Sequence, residues 1–238
     1  MAGLCFMIVL FPLTFCTWLI CFPFDRQRFT THWFLVYQSV LISKLIPSTK
    51  IEIVGRHKGI SGTTYVIIAN HQSILDILLI NCLRYRFKWI SKIENTKVPV
   101  LGWYLRMAGY ITVDRGNEES KTVMLEKSYQ CLKRGISIMI FPEGTRSSDG
   151  EIGFFKRGAF QLAIQAGVPI LPVVIDGTTE ILPKHGHTFG STRNVKIKVL
   201  DPVEPSAFGT DNPDVLAGEL NLMMKSELSR LRTGTTSE

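Results

Sequence analysis

From residue 51 onward the chain alternates between two hydrophobic periods, and this constrains the fold more than any other feature. Short apolar runs bounded by Gly, Pro or polar clusters fall at 51–54, 64–69, 87–90, 110–113, 136–141, 169–175 and 195–200 and read as strands. Stretches with helical spacing lie between them, at about 74–83, 100–108, 118–134 and 159–166. Asn117 ahead of Glu118 and Glu119 looks like a helix start, and Gly135 like its end. A last amphipathic helix is expected at 214–231, followed by a disordered polar tail at 232–238. Strands that alternate with helices imply an α/β layered sandwich, a largely parallel central sheet flanked by helices.

The first 50 residues differ in character. No charged side chain occurs from Ala2 to Phe24. At about 1.5 Å per residue, such a run could cross a hydrocarbon core of about 30 Å. A cleaved signal peptide would want a basic start and a small-residue cleavage site, and neither is evident. A single transmembrane helix and a helical hairpin dipping into one leaflet both fit. Pro12 and Pro23 interrupt the run and tilt the balance slightly towards the hairpin. Residues 29–46 read as a second apolar helix, with Phe29, Trp33, Val36 and Val40 at helical spacing and Pro47 closing it. The expected organisation is a two-helix membrane element over 1–50 and an α/β domain over 51–231.

Charge places that domain. Between Asp25 and Lys58, Arg26, Arg28, Lys44, Lys50, Arg56 and Lys58 face only Asp25 and Glu52. The positive-inside tendency then puts the domain on the cytoplasmic side of a membrane. A net charge of +7 suits an anionic partner. No zinc-finger spacing or RNA-binding aromatic signature accompanies it, so anionic lipid headgroups are expected and nucleic acid is not. Cys5, Cys16 and Cys21 lie in the apolar segment and Cys82 and Cys131 are isolated, as reduced packing residues would be.

In sheets of this kind sites gather where strands end. Three polar clusters stand at such ends: 70–76, 114–116 and 142–146. In the first, His71 and Asp76 are five residues apart, so on one regular helix they would point about 140° away from each other. They meet only if His71 sits ahead of the helix and Asp76 faces back from its first turns. A carboxylate on one imidazole nitrogen would fix the tautomer and make the other nitrogen the better base. In the third cluster, Gly144 allows close backbone approach, Thr145 can donate a hydrogen bond, and Arg146 can grip a phosphate. Glu143 would orient Arg146 or accept from a substrate hydroxyl. Arg115, Lys92 and the Lys156-Arg157-Gly158 step are candidate anion contacts. Each cluster alone also has a plain structural reading as a helix cap, a strand-ending turn or solvated surface charge. There is no Gly-x-Ser-x-Gly elbow, Walker loop, Cys-x-x-Cys pair or His-Glu-x-x-His motif. His32, His57, His185 and His187 form no recognisable metal set, and a solvated loop is expected at 185–187.

Taken in order, these blocks resemble the glycerolipid acyltransferases typified by 1-acylglycerol-3-phosphate acyltransferases. Residues 70–76 match the family's His-x4-Asp block, 109–115 its second block with looser fits at Tyr110 and Thr112, 141–146 its third and 168–173 its fourth. The resemblance implies that His71 is the base and Asp76 its orienting partner. Arg115, Glu143, Gly144, Thr145 and Arg146 would hold a phosphate-bearing acceptor, with Lys92 as a helper. Pro172 and its neighbours would shape the acyl pocket or the core. The implied reaction moves a fatty acyl group from a thioester donor, acyl-CoA or acyl carrier protein, to the sn-2 hydroxyl of 1-acylglycerol 3-phosphate, giving phosphatidic acid. It calls for no cofactor or metal. Another lyso-lipid or glycerol 3-phosphate as acceptor, or a non-catalytic protein that binds anionic lipid, are the alternatives. Oligomeric state is left open by the sequence.

Overall fold

The computed structural model describes residues 2–46, 50–184, 186 and 194–234, with the backbone alone for residues 2–8. Helix α1 (Ala2–Cys21) carries Pro12 inside it without stopping, so the expected interruption there does not occur. The chain turns instead over 22–28, and α2 (Phe29–Lys44) packs back on α1. Asp25 starts α2: its two carboxylate oxygens accept from Phe29 N at 3.0 Å and Thr30 N at 2.6 Å, which satisfies backbone donors that a helix start leaves open. Among the described residues no helix is long and apolar enough to cross a membrane. The expected Pro47 stop lies outside the described residues.

A parallel-rich sheet follows. Its strands are β1 (Lys50–Val54), β2 (Val66–Ala69), β3 (Phe87–Lys92), β4 (Ile111–Val113), β5 (Ser137–Ile140), β6 (Ile170–Asp176) and β7 (Asn194–Val199). They lie in the order β1-β7-β6-β2-β5-β3-β4. Every neighbouring pair is parallel except β6 and β7. The helices are α3 (Leu75–Asn81), α4 (Leu101–Met107), α5 (Glu118–Lys133), α6 (Gly158–Ala166), α7 (Thr178–Ile181) and α8 (Pro213–Thr233). All seven expected strands occur, with ends within two residues of the sequence reading. Helix α7 has no counterpart there, because four residues are too short to show a period. Helix α8 runs through Arg232 and Thr233, so the tail does not begin at 232, while 235–238 lie outside the described residues.

The strand pleat sorts side chains into two cores. Val66, Ile68, Ile138, Ile170 and Val174 point towards α5, α6 and α8, where Phe160, Leu162, Leu216 and Leu220 meet them. Ile67, Met139, Leu171, Val173 and Ile175 point the other way, against Leu79, Ile80 and Leu83 of the α3 region. Each fully buried side chain of this size stabilises the fold by about 1.5–3 kcal/mol. Strand β7 shows the same alternation: Val195, Ile197 and Val199 are buried, while Lys196 and Lys198 reach α8 at Leu231 O (2.9 Å) and the Glu227 carboxylate. The caps match the sequence reading, with Asn117 Oδ1 accepting from Ser120 N at 3.0 Å and Gly135 at φ +74° just past α5.

Polar side chains fasten the hairpin to this body. Asn81 donates to Ser39 at 2.8 Å, and His32, fully buried, bonds Tyr110 Oη at 2.9 Å and Tyr85 O at 3.0 Å, while Gln38 of α2 donates to Thr14 of α1 at 2.7 Å and joins the two helices to each other. Burial pushes the His32 imidazole down to about 4, so it sits in the fold as a neutral, structural ring. On the other side of the hairpin Val9, Leu13, Leu19 and Ile20 of α1 and Tyr37 and Leu41 of α2 stand exposed.

Candidate active site

Strand β2 lies at the centre of the sheet, between β6 and β5, and its carboxyl end opens into Asn70 and His71. Asn70 is buried and clasps β6, donating to Ile175 O and accepting from Ile175 N, both at 2.8 Å. His71 stands ahead of α3, and Asp76 lies in the first turn of that helix. His71 Nδ1 and Asp76 Oδ2 are 2.8 Å apart. Asp76 is fully buried; Oδ2 also accepts from Gln72 N at 2.6 Å and Ser73 N at 2.8 Å, and Oδ1 from the Thr178 hydroxyl at 2.7 Å. A carboxylate that receives these donors can only accept, so Nδ1 carries the proton and Nε2 presents its lone pair. The imidazole lies flat on the Phe141 ring, with centroids 3.9 Å apart and planes 6° apart.

The loop after β5 grips the same strand end. Glu143 does not orient Arg146. Its Oε1 accepts from His71 N at 2.8 Å and its Oε2 from Gly153 N at 2.9 Å. Burial raises the Glu143 carboxyl above its ordinary value, opposed by these two amides. Ser147 N in turn donates to His71 O at 2.7 Å, so His71 is held at both backbone groups. Gly144 has φ +72°, and a Cβ there would lie 3.1 Å from Lys156 Nζ, so the turn needs glycine.

Cations surround this turn. The Arg115 guanidinium, reaching over from the end of β4, donates to Gly144 O. Burial depresses it from its ordinary value, against the attraction of Glu94. The Lys156 amine lies over Gly144, and Lys184 Nζ donates to Arg146 O at 2.7 Å. Thr145 is exposed and Arg146 half-buried. Lys92 forms a solvent-exposed ion pair at 2.9 Å with Glu94, the carboxylate that also attracts Arg115. His185 and His187 lie outside the described residues, and among those described no group of three or more His, Cys, Asp or Glu could hold a metal.

The structure thus brings His71, Asp76, Glu143, Gly144, Arg115 and the Thr145–Arg146 step together, and leaves Lys92 at the edge. Sequence reasoning quoted Asn70 and Phe141 within its motif blocks without giving them a role, took Lys156 as a candidate anion contact or surface charge, and missed Thr178 and Arg232. Arg232 donates to Gly150 O at 2.9 Å, to Asp176 at 3.0 Å and to Glu151, and so ties the far end of α8 to the loop beyond Arg146. Asn70, Phe141 and Lys156 carried a local signal; Thr178 and Arg232 act across the fold.

An imidazole set by a buried carboxylate beside a cationic turn, at the carboxyl edge of a parallel sheet, suits one class of chemistry, removal of a proton next to an anionic group. The comparisons narrow that class. Residues 50–176 match the family model described as Acyltransferase. A chloroplastic 1-acyl-sn-glycerol-3-phosphate acyltransferase of Arabidopsis thaliana is 36% identical over 82% of this chain and 54% of its own. The alpha form of that enzyme from Mus musculus is 32% identical over 82% of this chain and 69% of its own. The crystal structure of the 1-acyl-sn-glycerophosphate acyltransferase PlsC from Thermotoga maritima superposes with a TM-score of 0.78 at 26% identity, covering 97% of this chain and 95% of that one. The chain belongs to the acyltransferase family. It spans a little over half the length of the plant relatives, 54% and 52%.

Proposed function

We propose that this protein transfers a fatty acyl group from a thioester, acyl-CoA or acyl carrier protein, to the sn-2 hydroxyl of 1-acylglycerol 3-phosphate, yielding phosphatidic acid. The observation that carries the reading is the 2.8 Å contact between His71 Nδ1 and Asp76 Oδ2, which leaves Nε2 as a base beside the cationic turn. In this reading Nε2 takes the proton from the acceptor hydroxyl as its oxygen attacks the thioester carbonyl. The new C–O bond forms, the C–S bond breaks, and the proton passes from Nε2 to the departing sulfur. A thioester is already activated, so positioning and one base suffice, with the base contributing about 10²–10⁴ in rate. No step calls for a metal or an organic cofactor.

Arg115, Arg146 and Lys156 hold the acceptor phosphate, Thr145 donates to it, and Gly144 lets it approach the backbone. Lys92 contributes only long-range charge. Glu143 acts through His71, whose backbone it holds. The exposed apolar side of the α1–α2 hairpin, beside a basic flank, supports an element over residues 1–50 that lies on a membrane, with the α/β domain over 51–231 on its cytoplasmic side. Docking there keeps a lipid acceptor and the base at one surface.

The test is thiol release from acyl-CoA and acyl carrier protein with a panel of acceptors: lysophosphatidic acid, another lyso-lipid and glycerol 3-phosphate. Release with lysophosphatidic acid that disappears in His71→Ala is the expected result. Full activity in that variant, or equal use of an acceptor without phosphate by the parent protein, would overturn the reading.

A further inference from the structure

Asp76 carries the His71 contact on one oxygen only. Oδ2 receives His71 Nδ1 and the amides of Gln72 and Ser73. Oδ1, on the far side of a fully buried carboxylate, has one donor among the described residues: the Thr178 hydroxyl at 2.7 Å. A carboxylate can turn about its Cβ–Cγ bond, and any turn that moves Oδ1 also moves Oδ2 off the imidazole. The group that fastens Oδ1 therefore sets the plane in which Oδ2 meets Nδ1.

We propose that Thr178 is a positioning residue of the His71–Asp76 pair, its hydroxyl locking the Asp76 carboxylate so that His71 is held as the Nδ1–H tautomer with Nε2 aimed outward. This rests on the reading of His71 as the base. The fold prepares Thr178 for the task in three ways. Strand β6 lies directly beside β2, with Val173 paired to Ala69, and the Asn70 side chain bonds both backbone groups of Ile175. Gly177 then turns the chain at φ +90°, where a Cβ would come within 2.7 Å of Asn194 O, so the turn has little freedom to shift. Thr178 follows at once and is itself fully buried, as are Asp76 and Gln72, whose Oε1 lies a longer 3.4 Å from the hydroxyl. Asp76 and Thr178 have no exposed surface, so losing the hydroxyl leaves a buried acceptor unmatched among the described residues.

The experiment compares the parent protein with Thr178→Val, Thr178→Ser and His71→Ala. Steady-state acyl transfer is measured together with the downfield proton NMR signal of the imidazole N–H that bridges to the carboxylate. The His71→Ala spectrum assigns that signal by its loss. Thr178→Val is expected to lose the signal to exchange broadening and to lower kcat about tenfold or more, with the acceptor KM within about twofold. Thr178→Ser, which keeps the hydroxyl, is expected to restore both. A purely packing role would spare the bridging proton in the folded valine variant. The parental signal persisting in Thr178→Val, or being absent from the parent itself, would overturn the proposal. Should the valine variant not fold, Thr178→Ala is read in the same way. A signal lost in Thr178→Val while the parent releases no thiol would uphold the lock on the pair and sink the acyl-transfer reading instead.

Discussion

Glu143 offers the sharpest separation between a residue that touches substrate and one that holds the machinery. It is 7% exposed, and both carboxylate oxygens are taken by backbone amides, His71 N at 2.8 Å and Gly153 N at 2.9 Å. Glu143→Gln keeps the shape but replaces one acceptor with an NH₂ group that faces a backbone N–H. One charge-assisted hydrogen bond is lost, worth about 1.5–3 kcal/mol, and one buried amide is left without an acceptor, worth about 1–3 kcal/mol. These overlap, and removing a carboxyl whose charged form burial disfavours offsets part of the loss. The net expectation is a destabilisation of about 2–4 kcal/mol. Urea unfolding reads this as a lower midpoint at unchanged slope, and hydrogen exchange should quicken at whichever of the His71 and Gly153 amides loses its partner. Acyl transfer should fall mainly in kcat, because the base is what shifts. An unchanged midpoint combined with a rise of about tenfold in KM for the phosphorylated acceptor would show that Glu143 works on substrate and not on the His71 backbone.

Lys88 is 4% exposed, donates to Ala108 O at 2.5 Å and lies over the Phe29 ring; burial brings its amine from 10.5 down to about 8. Between those two values the unfolded chain holds a proton that the folded protein has released, so stability should rise with pH across about 8–10.5, by about 3 kcal/mol in full. Unfolding midpoints at the two ends of that window should show this rise in the parent relative to Lys88→Met; equal slopes in the two proteins would refute it. Arg232→Gln should loosen the 147–153 loop, seen as faster proteolysis or hydrogen exchange there, and lower kcat/KM a few-fold. Unchanged exchange would mean that the Arg232 contacts with Gly150, Asp176 and Glu151 do not hold the loop.

What the sequence determined by itself was whatever depends on near neighbours. Period and turn residues placed all seven strands and the longer helices, because the pleat and the helical turn repeat within a few residues. The His71–Asp76 pair was legible for the same reason: five residues of chain leave few ways for the two side chains to meet, and one of them puts the histidine ahead of the helix. Pro12 misled because a proline weakens one helix turn locally, and an otherwise uninterrupted apolar helix can absorb that loss. Only the tertiary structure decided the strand order, the reversal of β7 against β6, the commitment of both Glu143 oxygens to backbone amides, and the Thr178 hydroxyl on Asp76 from 102 residues away. Those contacts form when distant strand ends are brought side by side by core burial, and a hydroxyl or a carboxylate leaves no periodic trace that foretells its partner.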